Sequence, residues 1–382
     1  DLVRSRGLGD VYKRQIKKKG HNMNGYIYQQ SNMMCPPPDK DEKKQLRRYY
    51  FRIAWIVVTL IFVFSILNTL ILQLCAAMLG GGYSKEQIDA GKEIIRSTPL
   101  MKAIYSYVFP FIADIAAFGV GLLVTKTDIR KKFTVKGITG GSFLKFTALS
   151  FGVVTVGSVI NVIISAIAAA LSGKLSDFSV NNTSALNIAP QNNPLWLEIL
   201  IYLYICLLGP IMEELIFRGV LLDGLRKYGN TFGIIMSAVL FGLMHQNFSQ
   251  CLPAVCMGLV WAYIAVKYNS LVPSMILHII NNSMSAVLMV LIQNSSIDIS
   301  NLQATIMGYM PLVIASLLNV ALRLACIIAS IVIIIRFYSS GGKLFRTSLY
   351  SKQRTWKYFF TSVPWLMVIA YMLYGTVTTI SI

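Results

Sequence analysis

The sequence predicts an all-α fold: a polytopic transmembrane helical bundle of about eight to nine spans. Three observations carry that expectation. The 382-residue chain is 55% hydrophobic and only 13% charged, about half the charged fraction of an ordinary soluble domain. Apolar runs close to the roughly 20 residues that cross a hydrocarbon core recur along nearly its whole length. The runs are continuous and lack the period-two alternation of a barrel strand.

Taken in order, Asp1–Gln15 reads as a non-native leader and is set aside from the fold. Residues 16–48 are polar and basic and carry Pro36-Pro37-Pro38, the composition of a disordered cytoplasmic tail. The N-terminal transmembrane helices are expected within 49–194, as the runs Ile53–Leu79, Ala103–Val124 and Phe146–Leu171. Four central runs follow within 195–293: Trp196–Leu222, Phe232–Met244, Leu252–Val266 and Val272–Ile292. The second and third of these are short and flank the polar Gln246-Asn247, so they read as tight spans or a partly re-entrant pair. The C-terminal helices, within 294–382, are the runs Met307–Ile335 and Tyr358–Ile380.

The formal net charge of +19 first suggests nucleic acid, but the basic residues sit in short links between apolar runs. Lys126–Lys145 holds Lys126, Arg130, Lys131, Lys132, Lys136 and Lys145, and Arg336–Lys357 holds six basic residues and no acid. Every second link is basic, as the positive-inside rule requires, which argues against nucleic acid and for a cytoplasmic N-terminus in a plasma membrane. The six cysteines (Cys35, Cys75, Cys206, Cys251, Cys256, Cys326) show no CxxC spacing and no disulfide framework. Asn181-Asn182-Thr183-Ser184 forms glycosylation-type sequons in an expected outside loop, which a bacterial chain leaves unmodified.

Chemistry points to one place. Glu213 and Glu214 lie in Gly209-Pro210-Ile211-Met212-Glu213-Glu214-Leu215-Ile216-Phe217-Arg218, inside an apolar run. A carboxylate at membrane depth costs roughly 2.5–3.5 kcal/mol even on lenient scales. Neighbouring helical residues diverge by about 100°, so the two carboxylates face different ways. Arg218 is four residues beyond Glu214, where a guanidinium meets a carboxylate on one face, leaving Glu213 available as a base. His245 and Phe241 share a face at i, i−4, and His278 and Asn282 share one at i, i+4. Imidazole and carboxamide both donate N–H groups, and two donors on one face suit a developing oxyanion. Glu213, His245 and His278 are also a carboxylate-plus-two-His set of the kind that ligates a divalent metal such as Zn²⁺. Residue types leave metal-activated and Glu/His-activated water both open. Asp114 and Arg323, also inside apolar runs, are expected to pair with neighbours or face a cavity.

Glu-Glu-x-x-x-Arg, Phe-x-x-x-His and His-x-x-x-Asn, in that order on successive apolar segments over Trp196–Leu288, resemble the CPBP family, the CAAX protease and bacteriocin-processing (Abi) intramembrane proteases. The resemblance implies a four-helix protease core in spans 4–7, residues 195–293, and a membrane-associated protein or peptide as substrate. It implies Glu213 as general base supported by Glu214 and Arg218, His245 sharing activation of water, and His278 with Asn282 as oxyanion hole. The family is commonly labelled metallopeptidase. A bacteriocin self-immunity or binding protein that keeps the fold without turnover is the alternative, and a proton-relay transporter ranks lower because no inverted repeat is visible. Substrate, oligomeric state and the role of the flanking helices are not legible.

Overall fold

The computed structural model describes residues 40–135, 137–173, 194–293, 309–341 and 352–378. The expected leader, the tail up to residue 39, the sequons at 181–184, the link around 294–308 and much of the basic link at 342–351 lie outside the described residues. Every regular element among the described residues is helical, as the composition requires.

Helix α1 (Lys40–Ile66) continues through a wide π-helical turn, Leu67–Ile71, into Leu72–Leu79. It starts inside the stretch expected to be tail, so residues 40–48 are helical. Helix α2 (Lys85–Ser97) is amphipathic and opens on a capping box in which Ser84 and Gln87 satisfy each other's backbone N–H groups. Helix α3 is Pro99–Ala103, a π turn Ile104–Val108 and Phe109–Thr125, and α4 is Gly140–Leu171. Helix α5 runs from Leu195 to Leu225. It is followed by α6 (Asn230–Met244), α7 (Phe248–Tyr268) and α8 (Val272–Gln293). Helices α9 (Met310–Ser339), α10 (Lys352–Phe360) and α11 (Val363–Thr378) complete the described chain.

Six described helices are long and apolar enough to cross a membrane: Lys44–Leu79, Pro99–Thr125, Gly140–Leu171, Leu195–Leu225, Phe248–Tyr268 and Val313–Ser339. The expected eight to nine spans are thus met in part. Helices α6 and α11 are apolar but shorter. The 15 residues of α6 reach only about 22 Å at 1.5 Å per residue, but ten of them are buried against other helices, so little of this short segment meets lipid. The run expected at Leu252–Val266 is longer than the sequence suggested, because Asn247 caps α7 through its side chain to the Ser249 N–H at 2.9 Å. A turn with Gln246 in the left-handed region joins α6 to α7. These two helices form a hairpin, and α7 packs in turn on α4, α4 on α9, and α1 on α3.

The core runs through the middle of this assembly. Trp261, Phe217, Phe241, Tyr50, Phe359 and Trp365 are each fully buried, and the Trp365 indole donates to the Tyr50 carbonyl at 3.0 Å, tying α11 to α1. Leu317, Leu318, Ile328 and Ile335 on α9 are all at least 60% exposed, an apolar outer face suited to lipid rather than water. Lys132, in the link after α3, donates to Asp223 in the last turn of α5 at 2.8 Å and to Asn269 at 3.0 Å. Burial lowers the Lys132 ammonium below its ordinary value, and Asp223 opposes that shift.

The α6–α7 hairpin depends on Gly242, where an added Cβ would press on the Val255 side chain and lie 2.5 Å from the Cys251 carbonyl oxygen. Backbone cannot yield as a side chain can, so Gly242→Val should cost at least the 1–3 kcal/mol typical of overpacking, about. Thermal unfolding in detergent reads this as a clear drop in Tm; an unchanged Tm contradicts the hairpin packing.

Candidate active site

Helix α5 carries the carboxylates and is the least regular helix described. It reads Leu195–Leu203, a π turn Tyr204–Leu208, an α segment Gly209–Glu214, a second π turn Leu215–Leu221 and a last turn Leu222–Leu225. Wide turns of this type are rare and concentrate at functional sites. The first has a visible cause. In a π turn each N–H reaches the carbonyl five residues back; Gly209 does so to Tyr204, but Pro210 has no N–H to offer Ile205. The orphaned Ile205 carbonyl accepts instead from the Asn282 side chain at 3.0 Å. In the second turn, the Phe217 carbonyl accepts from buried Ser237 on α6 at 2.8 Å. That carbonyl also accepts the Leu222 N–H, so Asn282 on α8 replaces a missing backbone donor whereas Ser237 on α6 adds a second one.

Between these turns the two glutamates diverge as helix geometry demands. Glu214 is fully buried and its Oε1 lies 3.1 Å from Arg218 Nη1, itself fully buried. The pair is an ion pair by distance; neither group has an aligned hydrogen bond among the described residues. The Arg218 guanidinium lies 4.1 Å from the centre of the Phe241 ring and 5.4 Å from that of Trp261, distances at which a desolvated cation is attracted to a ring face. It can approach because Gly258 has no side chain: a Cβ there would sit 3.2 Å from Arg218 Nη2. Glu213 keeps 22% of its side chain accessible and lines a cavity of about 430 Å³.

One imidazole links the two carboxylates. His278 Nδ1 lies 3.4 Å from Glu214 Oε1, and its Nε2 lies 3.5 Å from Glu213 Oε2. Its ring packs against Trp261, centre to centre 4.5 Å, with Phe241 edge-on at 5.8 Å. The sequence paired Glu214 only with Arg218; in the structure Glu214 also faces His278, as a carboxylate that orients a working histidine does.

His245 caps the end of α6. Its Nδ1 is 2.9 Å from the Phe241 carbonyl oxygen. A carbonyl only accepts, so Nδ1 carries the proton, and the neutral ring presents a lone pair at Nε2. Glu213, His245, His278 and Asn282 all line the one cavity, with Phe241 beside them; Glu214 and Arg218 lie behind its wall. Asn282 differs from its expected role in one respect. One amide hydrogen is committed to Ile205, which leaves the second for a ligand, and its Oδ1 accepts from Asn281 at 3.3 Å.

The metal alternative is not supported by this geometry. Among the described residues no group of three His, Cys, Asp or Glu side chains is arranged to hold a metal ion. His278 Nδ1 faces Glu214 and His245 Nδ1 is committed to a carbonyl, so each ring has only Nε2 to offer a metal. No step below is routed through a metal.

Residues 194–284 match the family of type II CAAX prenyl endopeptidase Rce1-like proteins. The matched segment runs from the start of α5 into α8 and contains the Glu-Glu-x-x-x-Arg, Phe-x-x-x-His and His-x-x-x-Asn motifs. It agrees with the CPBP resemblance and supports, in general terms, a CAAX-protease-like endopeptidase set among membrane helices. No curated protein and no solved structure matches the chain.

Sequence reading missed Trp261, Asn281, Tyr107, Tyr204 and Ser237. The tyrosines and Asn281 line the cavity; aromatic and amide residues in an apolar run look like packing until the helices are placed. Ser237 had a signal of a kind, because a buried hydroxyl needs a partner.

Removing one member of a buried ion pair costs about 3–5 kcal/mol, whereas replacing both with apolar groups is often neutral. Arg218→Met should therefore unfold at much lower denaturant than the parent. Glu214→Leu/Arg218→Met should recover most of that stability but not turnover, since His278 loses its orienting carboxylate. Equal stability of the single and double variants contradicts the pairing.

Proposed function

We propose that the protein is an intramembrane endopeptidase that hydrolyses a peptide bond in a membrane-associated protein or peptide, using water activated at Glu213. One observation carries the reading: Glu213 and His278 meet at 3.5 Å on the wall of a cavity that His245 and Asn282 also line.

Water enters between Glu213 and His245, and the Glu213 carboxylate takes its proton. The lone pair of His245 Nε2 accepts the other water hydrogen and aims the oxygen at the scissile carbonyl. As the hydroxide adds, the carbonyl oxygen becomes an oxyanion. His278 Nε2, 3.5 Å from Glu213 in the resting arrangement, turns to that oxygen as an N–H donor together with the free amide hydrogen of Asn282. Collapse of the tetrahedral intermediate breaks the C–N bond, and Glu213 returns its proton to the leaving amine. No covalent enzyme intermediate is required; Ser285 donates to the Asn281 carbonyl at 3.0 Å and stays outside this sequence of events.

Burial of Glu214 and Arg218 behind the wall supports the division of labour, with one glutamate spent on holding His278 and the other left at the cavity. The alternation of basic links supports a cytoplasmic N-terminus, and a bacterial plasma membrane is part of the same proposal. The metallopeptidase label common in the family and a bacteriocin-immunity role gain no observation here.

A positioned general base contributes about 10²–10⁴-fold. Glu213→Gln should fold normally and lose activity by that factor. Comparative peptidomics of membranes carrying the parent or Glu213→Gln protein should show fragments that disappear in the variant. Identical fragment sets would contradict the role of Glu213.

A further inference from the structure

A cation on a flanking helix reaches the same cavity. Arg323 lies on α9, outside the segment 194–284 that matches the protease family. It is half-buried, and its side chain lines the cavity that holds Glu213 and His278. An arginine is permanently charged, and a charge at membrane depth is costly unless something repays it. Arg218 is repaid by Glu214. Arg323 has only neutral partners: Nε donates to Asn319 Oδ1 at 2.7 Å, and Nη1 to Thr155 Oγ1 at 3.4 Å. Among the described residues no carboxylate forms an ion pair with it. Of the five guanidinium N–H groups, two are used and three remain.

The two contacts fix the guanidinium. Asn319 is one turn back on the same helix, and Thr155 reaches across from α4, whose hydroxyl also donates to the Phe151 carbonyl at 2.7 Å. The contacts engage Nε and Nη1, so both N–H groups of Nη2 remain to donate to a carboxylate.

We infer that Arg323 binds a carboxylate of the peptide substrate and so selects where along the peptide cleavage falls. The inference rests on the endopeptidase reading above. A cavity of about 430 Å³ admits only a few extended residues, so the carboxylate lies within a few residues of the scissile bond. It belongs either to the C-terminus of the peptide or to an Asp or Glu side chain. Arg323 is a binding and positioning residue; it touches no reacting atom, and its effect falls on KM before kcat.

The test uses the full-length protein in lipid nanodiscs and an N-acylated synthetic peptide library. Each peptide is made as C-terminal acid and C-terminal amide, and each internal Asp or Glu is paired with Asn or Gln. Mass spectrometry gives kcat/KM for each member of a pair. Charge-assisted hydrogen bonds are worth enough for about a tenfold preference. The parent protein should prefer the carboxylate member by about that factor, mainly through KM. In Arg323→Gln the two members should converge to within about twofold, and Arg323→Lys should restore part of the preference. The C-terminal and side-chain arms identify which carboxylate is read. If Arg323→Gln keeps the parent's preference, or lowers both members equally, the inference is overturned; the second result is what a packing or lipid-phosphate contact would give. Binding of the same pairs to Glu213→Gln, followed by fluorescence anisotropy, needs no turnover. A carboxylate preference there that Arg323→Gln abolishes upholds the inference even if the peptidase reading fails, and its absence overturns the inference even if cleavage is found.

Discussion

The Glu214–Arg218 ion pair is the constraint on which the rest of the site depends. Two full charges are buried within the bilayer region at 3.1 Å, and each is costly alone. Their attraction is shared outward. Arg218 reaches the faces of Phe241 and Trp261, and Glu214 reaches His278. Trp261 and Phe241 close in turn on the His278 ring. A buried ion pair is weak evidence for stability, because desolvation offsets the Coulomb gain. Its use here is geometric: it holds one imidazole in a defined orientation beside a second, accessible carboxylate.

That fixed point explains the irregularity of α5. In a regular α-helix Pro210 would leave the Cys206 carbonyl without its donor; the wide turn moves that deficit to Ile205, within reach of Asn282. The first π turn leaves the Ile205 carbonyl without its backbone donor, and Asn282 on α8 takes it up; in the second the Phe217 carbonyl, already bonded to the Leu222 N–H, accepts a further bond from Ser237 on α6. The irregular backbone therefore stitches α5 to the helices that bring His278 and His245. In membrane protein cores such contacts matter because no water is available as a substitute partner. Asn282 is consequently both a structural donor and a cavity residue, a double duty that motif reading had assigned only to the oxyanion.

The site was legible in the sequence to the extent that membrane burial makes charge expensive. Glu213, Glu214, Arg218, His245 and His278 stood out because ionisable residues in apolar runs need a reason, and simple i, i+4 spacing anticipated both the Glu214–Arg218 pair and the placement of His245 below Phe241. Contacts between distant helices were not legible. Nothing in the neighbourhood of Thr155 or Arg323 announces that α4 and α9 meet at the same cavity, since that contact spans 168 residues of sequence. The run expected at Leu252–Val266 is a span-length helix, extended to Phe248 at its start where Asn247 caps it. Among the described residues six helices meet the length and hydropathy of a span, and α6 and α11 are apolar but shorter; α6 is shielded by neighbouring protein rather than by length. Pro210 was a missed signal for the wide turn, because a proline in a helix always removes a donor and some carbonyl must find another.

The most direct measurement is the distance between the Glu213 carboxyl carbon and the His278 ring nitrogens, by solid-state NMR dipolar recoupling in lipid bilayers, for the parent protein and for Arg218→Met. The account predicts direct contact in the parent, in line with the 3.5 Å approach of Nε2 to Oε2, and a longer, broadened distance once Arg218 no longer holds Glu214. A parent separation beyond about 6 Å, outside the range of strong charge coupling, would contradict it. So would a contact that survives unaltered without the guanidinium.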